Sequence, residues 1–155
     1  MPKAAWLTAE EQRTWLAYIK MSRSLAAGME RQLSGSGLSG ADYQVLAPLA
    51  EEPSGGMRPR DLCRSTGWDR SRLAHQLERM ERRGVVSRSP SPEDGRGTVV
   101  HITRAGEQAL RDAAPGHVAW VRDHFIDILE PDEMRTLVDL CQRVIRRLEA
   151  EDQDE

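Results

Sequence analysis

The sequence predicts a mainly α chain that carries one small β-hairpin. Three observations carry this. Apolar residues recur at three- and four-residue spacing through most of the 155 positions. Helix-start signals punctuate the chain: Thr8 with Glu11, Ser39 with Asp42, Pro59, Asp69, Thr103 and Pro131. Only residues 85–89 and 98–102 read as strands, and between them residues 90–97 hold two Pro and two Gly.

Each element follows from local chemistry. Thr8 and Glu11 form a capping box, so a long helix is expected to about Leu33, with Trp15, Tyr18, Ile19, Leu25 and Met29 on its apolar side. Ser34-Gly35-Ser36-Gly37 ends it. Ser39 opens a second helix with Tyr43, Val45, Leu46 and Leu49 inside. Residues 51–56 form a turn-rich connection, after which Met57 and Arg58 suit a brief strand pairing. Pro59 at a first-turn position starts a short helix to about Ser65, with Leu62 and Cys63 inward. Thr66-Gly67-Trp68 is a tight turn. Asp69 then caps a helix whose stripe is Leu73, Leu77 and Met80. Gly84 stops it, and Arg82 and Arg83 sit in the last turn, where cations suit the helix dipole. Two helices joined by a short Gly turn make a helix-turn-helix. The hairpin after it reads as a wing whose long loop protrudes.

Thr103 caps the next helix, which carries Ala105, Ala109 and Leu110. Pro115-Gly116 is expected to kink or interrupt it. The pattern resumes with Val118, Val121, Phe125, Ile128 and Leu129. Pro131 starts a last helix with Leu137, Leu140, Cys141, Val144, Ile145 and Leu148 at near-heptad spacing. Residues 149–155, with five acids, are expected to fray.

Charge distribution points to function. The net charge is −3, yet residues 58–104 hold 11 Arg and 6 acids, a net of +5, which leaves −8 elsewhere. A basic middle between acidic ends suits a nucleic-acid-binding core. Arg70, Ser71, Ala74 and His75 lie off the apolar stripe in the first turns of their helix, an arrangement suited to the major groove of DNA. Two cysteines, Cys63 and Cys141, give no disulfide framework and read as small buried hydrophobes. No secretory leader and no apolar run of about 18 residues is present, so a reducing cytoplasm is expected. There is no phosphate loop, paired-Cys metal motif, His-Glu-x-x-His or recognisable Ser-His-Asp arrangement, and catalysis is not expected.

The order of helices, wing and helices resembles the MarR family of bacterial transcription regulators, over roughly residues 15–148. The most specific pieces are Glu81-Arg82-Arg83-Gly84-Val85-Val86 with Arg88, then Asp94-Gly95-Arg96, then Ile102-Thr103-Arg104-Ala105-Gly106. Met80 and Val85 stand where the family favours Leu, as does Ile102 before Thr103. The resemblance implies a homodimer built on a winged helix-turn-helix at 38–104, with dimerisation helices at 8–34 and 105–150 in a single chain of 1–155. It implies a pseudo-palindromic operator with half-sites about one turn (~34 Å) apart. Ser71, Arg72, Ala74 and His75 fall where base edges are met, and Arg96 where the wing enters the minor groove. Asp94 falls where a carboxylate holds the wing by pairing with a nearby Arg. Arg58, Arg60, Arg64 and Arg88 are candidate phosphate contacts. Arg at the place of His75, and a hydroxyl at those of Arg72 and Ala74, are commoner in the family, so the operator is not carried over.

Many members of the family release DNA when a small aromatic or phenolic effector binds between the dimer helices and the DNA-binding lobe. Trp15, Tyr18, Met21, Tyr43 and Leu46 are the candidates here, with a plain core role as the rival reading. A thiol switch at Cys63 is a further alternative, as is a zinc switch at His117 and His124 with Asp123 or Asp127; structural roles are favoured for both. His101 is placed at the edge of the wing strand. A winged helix used only for protein contacts is the remaining alternative, and the net negative charge is its best argument.

Overall fold

Among the described residues, six helices and one hairpin lie close to where the sequence signals put them. In a computed structural model of the chain, residues 6–91 and 97–153 are described, with side chains as far as 151. Asp94 and Arg96 lie outside the described residues. The elements are α1 (Ala9–Ser34), α2 (Gly40–Glu51), α3 (Pro59–Thr66), α4 (Arg70–Arg82), β1 (Val86–Pro90), β2 (Thr98–Ile102), α5 (Arg104–Val121), a π-helical turn at Arg122–Ile126, and α6 (Pro131–Gln153). Both capping boxes close. The Thr8 amide donates to Glu11 Oε2 at 2.7 Å and the Glu11 amide to Thr8 Oγ1 at 3.3 Å. The Ser39 amide donates to Asp42 Oδ2 at 2.9 Å and the Asp42 amide to Ser39 Oγ at 3.0 Å.

The contacts divide the chain into two units, one ending at His117 and one starting at Val118. The first holds the core: Leu33, Leu38, Val45, Leu46, Leu49, Leu62, Trp68, Leu73, Leu77, Met80, Val85, Val86, Val100 and Ala113. The whole predicted stripe of α4 is in it. β1 and β2 pair antiparallel, from Val86 opposite Ile102 to Pro90 opposite Thr98. Pro90 thus ends the strand rather than opening the loop. Met57 adds a single bridge to Val100 by two backbone hydrogen bonds, of 2.9 and 2.8 Å. Thr103 binds the wing to α5. Its hydroxyl donates to the Gly84 carbonyl at 2.6 Å and accepts from the Gly106 amide at 3.1 Å. Gly106 passes so close to β1 that a Cβ there would run into the Val85 carbonyl oxygen.

Three expectations are corrected. α5 is not interrupted at Pro115-Gly116 but runs on to Val121. A proline forfeits one i→i−4 hydrogen bond, and the remaining ladder carries the helix past it, as it does past Pro48 in α2. The irregularity comes later, where the Asp127 amide reaches back five residues to the Arg122 carbonyl at 2.9 Å. The acidic tail does not fray at Glu149: α6 continues to Gln153, helped by an Arg147–Glu151 pair at 3.2 Å spaced i, i+4. Cys141 is exposed on α6 and so is not the buried hydrophobe expected, whereas Cys63 is half-buried and packs against the core. The apolar pattern around Cys141 is real, but nothing within the described chain covers it. In the second unit no described residue is buried, and Val138, Leu140, Val144, Ile145 and Leu148 are all exposed.

Candidate nucleic-acid interface

The α3–α4 turn presents the candidate surface. Gly67 takes φ +68°, which a side chain would resist, and its amide closes α3 on the Cys63 carbonyl. Asp69 then accepts from the Arg72 amide at 2.9 Å. With Leu73, Gln76, Leu77 and Met80 buried, helical geometry turns Ser71, His75, Glu78 and Arg82 outward. Arg70 and Ala74 flank that row on one side and Arg72 and Arg79 on the other, and all of these residues are exposed. The first turns of α4 thus expose Arg70, Ser71, Arg72, Ala74 and His75, with Arg70 and Arg72 on opposite flanks.

The surrounding arginines are held in different ways. Arg60 and Arg64 both approach Asp61 at 3.5 Å, and Arg88 approaches Glu81 at 3.4 Å. These are exposed pairs, worth at most about 1 kcal/mol, and they release readily to a competing anion. Arg58 donates to Ser91 Oγ at 3.1 Å, and so ties α3's start to the base of the wing. The Ser91 amide donates to the Gly97 carbonyl at 2.7 Å and closes that base. Between α3, α4 and the hairpin lies a hollow of about 330 Å³, lined by Pro59, Arg60, Cys63, Arg70, Leu73, Ala74, Leu77, Arg88 and Thr98.

The candidate effector residues do not share one environment. Leu46 is fully buried, Tyr43 is half-buried against His117 with ring centres 4.3 Å apart, and Trp15, Tyr18 and Met21 are exposed on α1. Trp15 and Tyr18 contact each other at 5.8 Å. Burial lowers the His117 pKa, and burial together with the Glu51 charge raises that of Tyr43. His117 Nδ1 and Gln32 Oε1 are buried with no hydrogen-bond partner among the described residues. His124 stacks on Trp120 at 4.8 Å, with Nδ1 3.0 Å from the Trp120 carbonyl. Among the described residues no group of three or more His, Cys, Asp or Glu is placed to hold a metal ion.

Comparison with known proteins agrees with this architecture. A sequence profile described as MarR family matches residues 36–97. AbsC, a MarR family transcriptional regulator from Streptomyces coelicolor, is 36% identical with a TM-score of 0.89, over 95% of this chain and 99% of its own. Sco3205, a MarR family transcriptional regulator from the same organism solved in complex with DNA, is 36% identical with a TM-score of 0.86, over 93% of this chain and 91% of its own. PcaV, a transcriptional regulator from the same organism solved with its natural ligand, is 26% identical with a TM-score of 0.73, over 90% of this chain and 96% of its own.

The chain belongs to the MarR family of transcriptional regulators.

Three features of this MarR chain escape a reading of the sequence alone. Arg72 lies over the Trp68 ring, its guanidinium carbon 4.2 Å from the ring centre. The i, i+4 spacing of a Trp and an Arg was the available signal. Asp42, buried, accepts from Gln76 Nε2 and from Arg83 Nη1, each at 2.7 Å, while Arg83 Nη2 donates to the Gly37 carbonyl at 3.0 Å. Arg83 therefore joins α4 to the start of α2, beyond any service to the helix dipole. Burial pushes the Asp42 carboxyl up, but Arg83 and the Ser39 amide and hydroxyl together hold it below its ordinary value. His101, at the wing edge, sits 2.9 Å from both Ser89 Oγ and the Gly55 carbonyl, and so fixes the hairpin to the α2–α3 loop.

Proposed function

We propose that this MarR-family chain is a cytoplasmic, homodimeric, DNA-binding repressor that a small aromatic or phenolic effector releases from a pseudo-palindromic operator. The exposed first turns of α4, anchored by a buried stripe, carry this reading in a chain similar over 93% of its length to the DNA-bound Sco3205. Residues 38–104 form the DNA-binding lobe, and 8–34 and 105–150 carry dimerisation. Arg70, Ser71, Arg72, Ala74 and His75 meet the major groove and Arg96 the minor groove, while Asp94 serves the wing by pairing with a nearby Arg. Arg58, Arg60, Arg64 and Arg88 meet phosphates, with no sequence information but a steep dependence on salt. The exposed apolar side chains of α1 and of α6 support self-association. Trp15, Tyr18, Met21, Tyr43 and Leu46 serve the effector. The buried, unpartnered His117 Nδ1 beside Tyr43 is an atom that an effector hydroxyl or carboxyl would satisfy. The family's members are regulators, and no catalytic role is assigned.

Fluorescence anisotropy with the DNA upstream of the protein's own gene tests this. A palindromic fragment is expected to bind at least about 1,000-fold more tightly than bulk DNA at physiological ionic strength. Equal binding to both would leave a winged helix that serves protein contacts.

A further inference from the structure

Arg72 is fixed at both ends. Its amide is bound by the Asp69 cap at 2.9 Å, and its guanidinium lies on the Trp68 indole at 4.2 Å. Trp68 is itself set in the core. It is a rigid platform at the α3–α4 turn, not a mobile surface ring. A stack occupies the flat face of a guanidinium and leaves its in-plane N–H groups at the edge. Arg72 is exposed, and no protein acceptor for that edge is present among the described residues. Contrast the neighbouring cations: Arg60, Arg64 and Arg88 have carboxylate partners, and Arg70 lines the hollow without a stack. Helical geometry also places Arg72, like Arg79, on a flank of the exposed row, where an unrestrained side chain would swing along the helix side. The indole removes that freedom before DNA arrives.

We propose that Trp68 and Arg72 form a guanine-reading unit, in which Trp68 is the positioning residue that presents the Arg72 fork edge-on to O6 and N7 of one guanine in each half-site. A planar fork held in one orientation matches guanine O6 and N7 together, whereas a Lys at the same place is a flexible point charge that the indole cannot hold edge-on. The inference rests on the DNA-binding reading above, so its test has one arm that needs no DNA.

Selection from a randomised DNA duplex library by the full-length dimer should return one invariant G·C pair per half-site. Arg72→Gln should abolish that preference, a loss of roughly 5–100-fold at that position. Arg72→Lys, which leaves the core untouched, should lose it too while keeping most of the affinity for bulk DNA. Trp68→Leu should weaken the preference by about 2–5-fold at that position, and Trp68→Phe should restore most of it. In the Arg72→Gln background Trp68→Leu should add nothing at that position, an outcome that a purely structural tryptophan would not give. By NMR without DNA, the Arg72 Nε–H resonance should lie upfield of the other arginines and rejoin them in Trp68→Leu. An unshifted resonance in the wild type overturns the platform whatever DNA is bound. A preference that survives Arg72→Lys, or one that Trp68→Leu weakens equally at every position, overturns the guanine-reading unit. A library that returns no preferred sequence with the wild type overturns the DNA-binding reading, and this inference with it.

Discussion

Asp42 shows how one side chain ties the start of α2 to α4 and the residue that ends it. It is 1% exposed, yet charged, because Gln76, Arg83 and Ser39 satisfy its oxygens. Two of those partners belong to or border α4. Removing Arg83 leaves a buried carboxylate with one charged partner lost. Arg83→Met is expected to cost about 1.5–3 kcal/mol, the range for hydrogen bonds to charged groups, because the Arg83 side chain is itself 42% exposed. Urea unfolding at neutral pH checks this. The sign with pH follows from the lowered pKa. A carboxyl held below its ordinary 3.8 contributes stability that is complete above that value, and that stability is lost as pH falls through the lowered value. Wild-type stability should therefore drop below pH 3.8 by more than that of Asp42→Asn. Equal slopes for the two proteins would show that Asp42 is not held in its charged form.

At the scale of elements, the joint between wing and α5 is a close one. Thr103 bonds back to Gly84 and forward to Gly106, and Gly106 lets α5 lie against the strand by offering no Cβ to the Val85 carbonyl. Gly106→Ala should cost about 1–3 kcal/mol through overpacking against backbone that cannot yield, read as a fall in thermal midpoint. A neutral or stabilising result would mean that the joint opens freely. Elements of this kind were legible in the sequence because their signals are local. Thr8, Ser39, Pro59, Asp69 and Thr103 each open a helix within a residue of the expected place. What was not legible depends on partners distant in the chain. The Asp42–Gln76 bond spans 34 residues and the Arg83–Asp42 pair 41, and no periodicity encodes either. The interruption expected at Pro115 does not occur, because the ladder around it outweighs one lost hydrogen bond. Cys141 misled because a stripe of helical spacing says that a face is covered without saying by what.

An uncovered apolar stripe matters most at the scale of the whole molecule. The first unit buries a continuous core, whereas α6 leaves Val138, Leu140, Val144, Ile145 and Leu148 each more than two-fifths exposed. Exposed apolar side chains repeated along one helix in this way mark an interaction surface. A second copy is the partner that the family reading supplies, and a two-fold axis would set each row against its own image. Val144→Glu combined with Leu148→Glu tests this at low cost to the fold, since both side chains are more than half exposed within one chain. In a dimer, the same change places carboxylates where they must be desolvated and face like charge. The sedimentation mass should therefore fall to that of a single 17.4 kDa chain, with helical circular dichroism retained. Operator affinity should fall with it, because one lobe alone reads one half-site and loses the effective concentration that the partner lobe provides. An unchanged mass would show that α6 is not the face on which the copies meet, and would turn attention to the exposed aromatic face of α1 around Trp15 and Tyr18.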